Sequence, residues 1–375
     1  MVIRHHKKMK VLHILYELKF SGAEIMYVDA ASVFQNLGCE LAVVNTAPHL
    51  GEYASHFEKA GYKVYHWPYP KSSVLRRKYY KKVISFLKRE KYDVVHIHSS
   101  ALKWGMSYCA WKAGCKAVYT FHNVFRSHWY TYLYHWWLRW SAKHLFHCTF
   151  QTISDSVYEH EKQYYHNETI KVYNWYGSNR FFPAKEREKE VIRKELGIPE
   201  QALVIISVGG CSPIKRHTDV IKALSEIVCK YPDVIYLHLG EGSALQEEKM
   251  LADALNITNH IRFCGNQEDV RRFLIASDIY VMSSKFEGIS LTTIEAMACR
   301  IPAILYDVPG LRDFNKEKEC ALLIPEDYHL LAEKVINLCQ NKQKQKTLAD
   351  NAKALVDTKY YMENNAKQIY ELYEK

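Results

Sequence analysis

The chain has 375 residues, 48% of them hydrophobic and 25% charged, which suits two or three domains of about 150 residues with sizeable cores. No apolar run approaches about 18 residues, so a membrane-spanning helix is excluded. Its ten cysteines form no Cys-x-x-Cys or Cys/His grouping, which argues against a zinc site or a disulfide framework and for reduced thiols in the cytoplasm.

The net charge of +10 is uneven: 26 Lys and Arg face 12 Asp and Glu through Lys185, and 25 face 29 after it. The basic start, residues 1–9, imitates a signal peptide, but the apolar run behind it is short and interrupted by His13; it reads as a flexible tail. Val11–Leu15 is then a strand, followed by a helix from about Ala23 to Leu37 that Gly38 stops, and by a second strand at Leu41–Val44. A helix carrying Arg76, Arg77, Lys78, Lys81, Lys82, Lys88 and Arg89 follows. Strands at Val94–Ile97, Ala117–Thr120 and Cys148–Ile153 complete a parallel, helix-covered sheet over residues 10–183. A polar stretch, 184–194, reads as a linker. Alternation resumes at Leu203–Val208, Val234–Leu237, Ile261–Phe263, Ile279–Met282, Ile304–Tyr306 and Leu322–Ile324, giving a second domain over 195–356. The last segment, 357–375, is helical and expected to pack back towards the first domain. The fold class is therefore α/β, with two doubly wound Rossmann-like domains facing a cleft.

Ligands of open parallel sheets bind beyond the strand C-termini, so the loops there carry the chemistry. Phe20-Ser21-Gly22-Ala23-Glu24 is a small-residue turn opening a helix, without the Gly-x-Gly-x-x-Gly of nicotinamide or flavin enzymes. Phe121-His122-Asn123 places an imidazole after another strand. In the second half, Gly209 and Gly210 precede Lys215 and Arg216, whose charge suits a diphosphate leaving group; one unit charge pair at about 4 Å contributes roughly 4 kcal/mol at an effective dielectric of about 20, before desolvation. Glu287 and Glu295 straddle a strand-to-helix turn whose amides, around Gly288, Ile289, Ser290 and Leu291, suit phosphate. Two acids flanking such a turn fit a ligand with hydroxyls at both ends and phosphate between them, as in a nucleotide-sugar.

Taken in order, Ser21 to Glu24, Asp93 to His98, Thr120 to His122, Gly209 to Lys215, Gly240-Glu241-Gly242 and the Glu287/Glu295 pair resemble the retaining glycosyltransferases of family 4, which have the GT-B fold and a Glu-x7-Glu signature. The resemblance covers nearly the whole chain from about Lys10. It implies diphosphate contacts from Gly22, Gly209, Lys215 and the amides of 288–291. It further implies donor-sugar contact by Glu287, ribose contact by Glu295, a base-side border at Phe263 and His122 near the anomeric carbon. His122, Lys215 and Glu287 are thus the catalytic candidates, with no metal and no cofactor beyond a UDP- or GDP-linked sugar as donor substrate. The sequence departs from the family at Gly210, where arginine is usual, with Arg216 as the candidate replacement. It departs again at Asn174-Trp175-Tyr176-Gly177, where Trp175 is expected to alter the acceptor side or the hinge.

The implied reaction is hexosyl transfer with retention to a saccharide or lipid-linked saccharide, in cell-surface polysaccharide or glycolipid assembly. His128 to Trp140 is rich in aromatics, among them Trp129, Trp136 and Trp137. With the basic helix (Arg76, Arg77, Lys78, Lys81) it suggests peripheral attachment to the anionic inner face of the cytoplasmic membrane. No nucleic-acid-binding motif accompanies the charge. A nucleotide-sugar 2-epimerase of similar fold, a nicotinamide oxidoreductase and a non-catalytic membrane- or partner-binding protein are the competing readings.

Overall fold

The computed structural model describes residues 8–375 and separates into two compact units, one built from the chain up to Gly177 together with Met362–Lys375, the other from Ser178–Tyr361. Most of the expected tail, 1–9, lies outside the described residues, and Met9 already begins the first strand.

The first unit runs β1 (Met9–Leu15), α1 (Gly22–Asp29), α2 (Ala31–Asn36), β2 (Cys39–Asn45), α3 (Ala54–Lys59), β3 (Lys63–His66), α4 (Ser73–Glu90), β4 (Val94–Ile97), α5 (Lys103–Ala113), β5 (Lys116–Phe121), α6 (Tyr132–His144), β6 (Thr149–Thr152), α7 (Asp155–Tyr164) and β7 (Ile170–Lys171). Its strands are all parallel, in the order β3-β2-β1-β4-β5-β6-β7. The single helix expected from Ala23 to Leu37 is two, because Ala30 departs from helical geometry at φ −86°, ψ 1°. Strands β3 and β7 have no counterpart in the sequence reading: one is a four-residue edge strand, the other spans two residues.

The second unit runs α8 (Glu188–Glu195), β8 (Val204–Val208), α9 (His217–Ile227), β9 (Ile235–Leu239), α10 (Leu245–Ala254), β10 (Ile261–Gly265), α11 (Val270–Ala276), β11 (Ile279–Met282), α12 (Leu291–Ala298), β12 (Ala303–Tyr306), β13 (Leu322–Ile324), α13 (Tyr328–Gln340) and α14 (Lys342–Lys359). Its parallel order is β10-β9-β8-β11-β12-β13. Most of the polar stretch expected as a linker is helix α8, whose charges are consumed within the unit. Lys189 Nζ and Arg193 Nη2 meet the Asp278 carboxylate at 2.7 and 2.8 Å, and Glu188 accepts from Arg271 at 2.6 and 2.9 Å. After α14 the chain returns to the first unit as α15 (Met362–Glu374), where Asn365 donates to the Asn174 carbonyl at 3.2 Å.

Each sheet reverses its strand order once, between β1 and β4 in the first unit and between β8 and β11 in the second. Loops leaving two strands on either side of such a reversal diverge and open a crevice at the strand C-termini. Those loops carry Gly22 and His98 in one unit, and Lys215 and Glu287 in the other.

Candidate active site

In the second unit, the loop after β8 brings Lys215 against the loop after β11. Lys215 Nζ lies 2.6 Å from Glu287 Oε1, which also accepts from Ser284 Oγ at 2.7 Å. Backbone bonds set this approach: Ser283 Oγ donates to the carbonyls of Lys215 and Arg216 at 3.0 and 2.9 Å, and the Lys285 N–H donates to Ile214 O at 2.8 Å. On the other side, Glu287 N–H donates to Pro309 O, and a Cβ on Gly310, at φ +83°, would stand 2.3 Å from Glu287 O. Only glycine admits so close an approach at that φ.

Helix α12 begins immediately beyond. Ser290 caps it, accepting from the Thr293 N–H at 3.2 Å. The earlier amides of a first turn have no intrahelical partners and carry the positive end of the helix dipole. Ile289 is buried, so only its backbone borders this turn, while Leu291 and Glu295 are half-buried. Across from it, Gly209 is packed by Lys215: a Cβ at 209 would lie 3.4 Å from Lys215 Cε. Phe263, half-buried on β10, lies against His238 with ring centroids 5.1 Å apart and the planes tilted by 46°.

In the first unit, Gly22 is the first residue of α1, where Ser21 Oγ donates to the Glu24 carboxylate. His122, directly after β5, is half-exposed, and burial of its ring lowers its pKa to about 4. Its Nε2 is 3.1 Å from His98 Nδ1. Sequence reasoning did not single out Lys103, which is buried near the rings of Tyr119 and Phe121 and whose pKa burial lowers to about 7.

Two groups among the described residues are close enough to share a metal ion. In the first, His13, His96 and His98 are already paired: His96 with Tyr373 OH at 2.6 Å and Thr120 Oγ1 at 2.8 Å, His13 with His98 at 3.0 Å. In the second, Cys211, His238 and Glu248, the carboxylate faces His238 Nε2 at 3.0 Å, and Cys211 belongs to the same loop as Gly209.

A family model described as "Glycosyl transferases group 1" matches residues 188–355, and one described as "Glycosyltransferase Family 4" matches residues 20–154. The chain belongs to glycosyltransferase family 4. It is 27% identical over 203 residues to N-acetyl-alpha-D-glucosaminyl L-malate synthase of Bacillus anthracis, covering 54% of this chain and 52% of that protein. It is 30% identical over 204 residues to D-inositol 3-phosphate glycosyltransferase of Corynebacterium urealyticum, covering 52% and 48%. The chain thus spans about half the length of these curated relatives. HepE of Anabaena, solved with UDP-glucose, superposes with a TM-score of 0.84 at 20% identity over 97% of this chain and 99% of that one. WaaG, a glycosyltransferase involved in lipopolysaccharide biosynthesis, gives 0.70 at 17% over 96% and 99%. These structures establish the GT-B fold.

Two positions singled out from the family pattern behave differently. The Arg216 guanidinium pairs with Asp219 at 2.7 Å and with Glu326, and sits over the Tyr306 ring, so its charge is already engaged within the unit. Trp175 is 2% exposed; its Nε1 donates to Met26 O at 3.0 Å, and its ring packs on Tyr27 and Phe34. It is a core residue of the first unit, where an indole N–H must find a buried acceptor, and it presents no surface to an acceptor or a membrane.

The other candidates for that surface are placed differently. Helix α5 packs between α4 and α6. Arg77, Lys78 and Lys81 on α4 are exposed, whereas Arg76 folds back onto the carbonyls of Pro70 and Lys71. Helix α6 buries Arg139, Ser141 and Ala142 and exposes Trp136, Trp137 and Trp140, with Trp129 just before it 87% exposed.

Proposed function

We propose that this family 4 glycosyltransferase moves a hexosyl group from a UDP- or GDP-linked sugar to a saccharide or lipid-linked saccharide, with retention, in the assembly of a cell-surface polysaccharide or glycolipid. The observation that carries the reading is the Lys215–Glu287 contact of 2.6 Å, formed at the strand-order reversal and beside the start of α12. A diphosphate placed at that helix start would meet the amides of its first turn and compete with Glu287 for the Lys215 ammonium. Glu287, released from the lysine and still held by Ser284, would then accept from a hydroxyl of the donor sugar. Glu295 would hold the ribose, and the departing phosphate would take the acceptor proton on the face it leaves. HepE has been solved with UDP-glucose, and another relative is named a GDP-mannose-dependent mannosyltransferase; both donor classes therefore belong in the test. Incubation with a panel of UDP- and GDP-sugars and saccharide acceptors is expected to release the nucleoside diphosphate from one donor, with the anomeric configuration of the product retained. Turnover to an epimer without acceptor, or no turnover of any donor, would reject the reading.

We further propose that α4 and α6 form one membrane-facing surface of the first unit, as a peripheral attachment site on anionic lipid. Basic residues near such a surface contribute about 1 kcal/mol each, and Trp and Tyr favour the headgroup boundary. Replacing Arg77, Lys78, Lys81 and Lys82 together by glutamine is expected to weaken binding to phosphatidylglycerol vesicles by about tenfold or more at low salt. Flotation independent of the anionic lipid fraction would remove the proposal.

A further inference from the structure

Three imidazoles stand in a hydrogen-bonded file across neighbouring strands of the first unit. His13 lies on β1, His98 directly after β4 and His122 directly after β5, and β1, β4 and β5 are adjacent. His13 Nδ1 is 3.0 Å from His98 Nε2, and His98 Nδ1 is 3.1 Å from His122 Nε2. The far end of the file is closed: His13 is fully buried, and its Nε2 has no hydrogen-bond partner. Burial holds all three rings neutral, with pKa lowered to about 3 for His13, well below the usual value for His98 and to about 4 for His122.

A neutral imidazole has one N–H and one lone pair, so the file has two polarities. If the protons point inward, His122 donates from Nε2 to His98 and His98 donates from Nε2 to His13. The His13 proton is then on its own Nε2, a buried N–H without an acceptor. If the protons point outward, His13 donates from Nδ1 to His98, and His98 donates from Nδ1 to His122. The unpaired atom at the closed end is then a bare lone pair. Both polarities keep the two hydrogen bonds, so the orphan decides between them. Unsatisfied buried N–H groups are the rarer kind in native proteins, which favours the outward polarity.

We propose that the closed end of this file selects the tautomer of His122: its Nε2 accepts from His98, its proton resides on Nδ1, and the residue offers its ligand an N–H donor suited to a sugar oxygen. His13 and His98 are then positioning residues for His122. The structural half of this proposal stands alone; its kinetic half rests on the glycosyltransferase reading above.

The test has two arms. In the full-length protein labelled with 15N-histidine, with His122 assigned by loss of its signals in His122→Gln, two-bond 15N–1H couplings are expected to report a neutral ring protonated at Nδ1. A ring protonated at Nε2, or a charged ring at neutral pH, overturns the proposal. In the second arm, His98→Phe removes the donor to His122 Nε2, and His98→Asn returns an N–H near the Nδ1 position. Provided both variants melt cooperatively, His98→Phe is expected to shift His122 towards the Nε2 tautomer and to lower kcat about tenfold with little change in KM, and His98→Asn to restore both. Wild-type tautomer and turnover in His98→Phe would overturn the proposal. Absence of turnover in the wild type would instead reject the enzymatic reading, leaving the NMR arm to decide the tautomer.

Discussion

Lys215→Ala is expected to lower the turnover of donor by about two orders of magnitude while leaving the protein folded. Deleting one preorganised group that stabilises developing negative charge costs about 10²–10³ in rate, close to 3 kcal/mol at 1.36 kcal/mol per decade. Lys215 is suited to that role because its ammonium is half-buried, positioned by packing against Gly209, and held by one carboxylate that a ligand can displace. The loss should appear in kcat more than in KM, since the charge on the bridging phosphate oxygen grows as the glycosidic bond breaks. Lys215→Arg should recover part of the rate, because it keeps the charge but not the compact ammonium. Arg216→Ala is the matched control. Its guanidinium is paired with Asp219 and Glu326, so turnover should change by less than about threefold, the size of effect expected away from the reacting charge. Wild-type turnover in a folded Lys215→Ala, or an equal loss in Arg216→Ala, would move the diphosphate site elsewhere.

The contrast between these two neighbours shows what the sequence could carry. Periodicity exposed all six strands of the second unit, because β8, β9, β11 and β12 are buried along their whole length and β10 and β13 keep short apolar stretches between turn residues, and the loop chemistry followed from strand ends. The edge strand β3 escaped because its four residues include Lys63 and His66 at the ends and its side chains are only partly buried. Which basic residue points at a ligand depends on which acids the fold brings near. Glu326 is 110 positions from Arg216, and no local pattern joins them. The same holds for Trp175, expected from a departing motif to alter the acceptor side or the hinge, whose indole donates to Met26 O, 149 positions away. The imidazole file had a partial signal: His96 and His98 share a strand face by alternation, and His13 proves to be in register with His96. Parallel strand order, which local pattern does not encode, was the missing step. Cysteine spacing likewise could not show that Cys211 would lie near His238 and Glu248.

The largest effect on stability is expected at Arg139, which lies on the inner face of α6 and is 5% exposed. Its Nε and Nη2 donate to the two oxygens of Glu161, both at 2.8 Å, and its guanidinium lies 3.5 Å from the centre of the Tyr165 ring. Glu161 also accepts from Asn167 at 2.7 Å, and Tyr165 OH donates to Phe125 O at 3.2 Å in the loop that follows His122. Arg139→Met would leave the Glu161 carboxylate buried with Asn167 as its remaining side-chain hydrogen-bond donor among the described residues and with the Lys103 charge nearby. Breaking one side of a buried pair costs about 3–5 kcal/mol, a large part of the roughly 5–15 kcal/mol available to a folded domain. All eight tryptophans precede Gly177 and so belong to the first unit, which makes urea unfolding followed by tryptophan fluorescence a direct readout of that unit. Arg139→Met with Glu161→Leu should recover part of the loss, since removing both charges also removes their desolvation cost. A single variant within about 1 kcal/mol of wild type, the range of an exposed pair, would show that the pair is not the anchor of α6. If the anchor is real, the same substitution should loosen the outward tryptophans of α6 and the loop after His122 together, because one guanidinium holds the helix, and its Glu161 and Tyr165 partners lead directly to that loop.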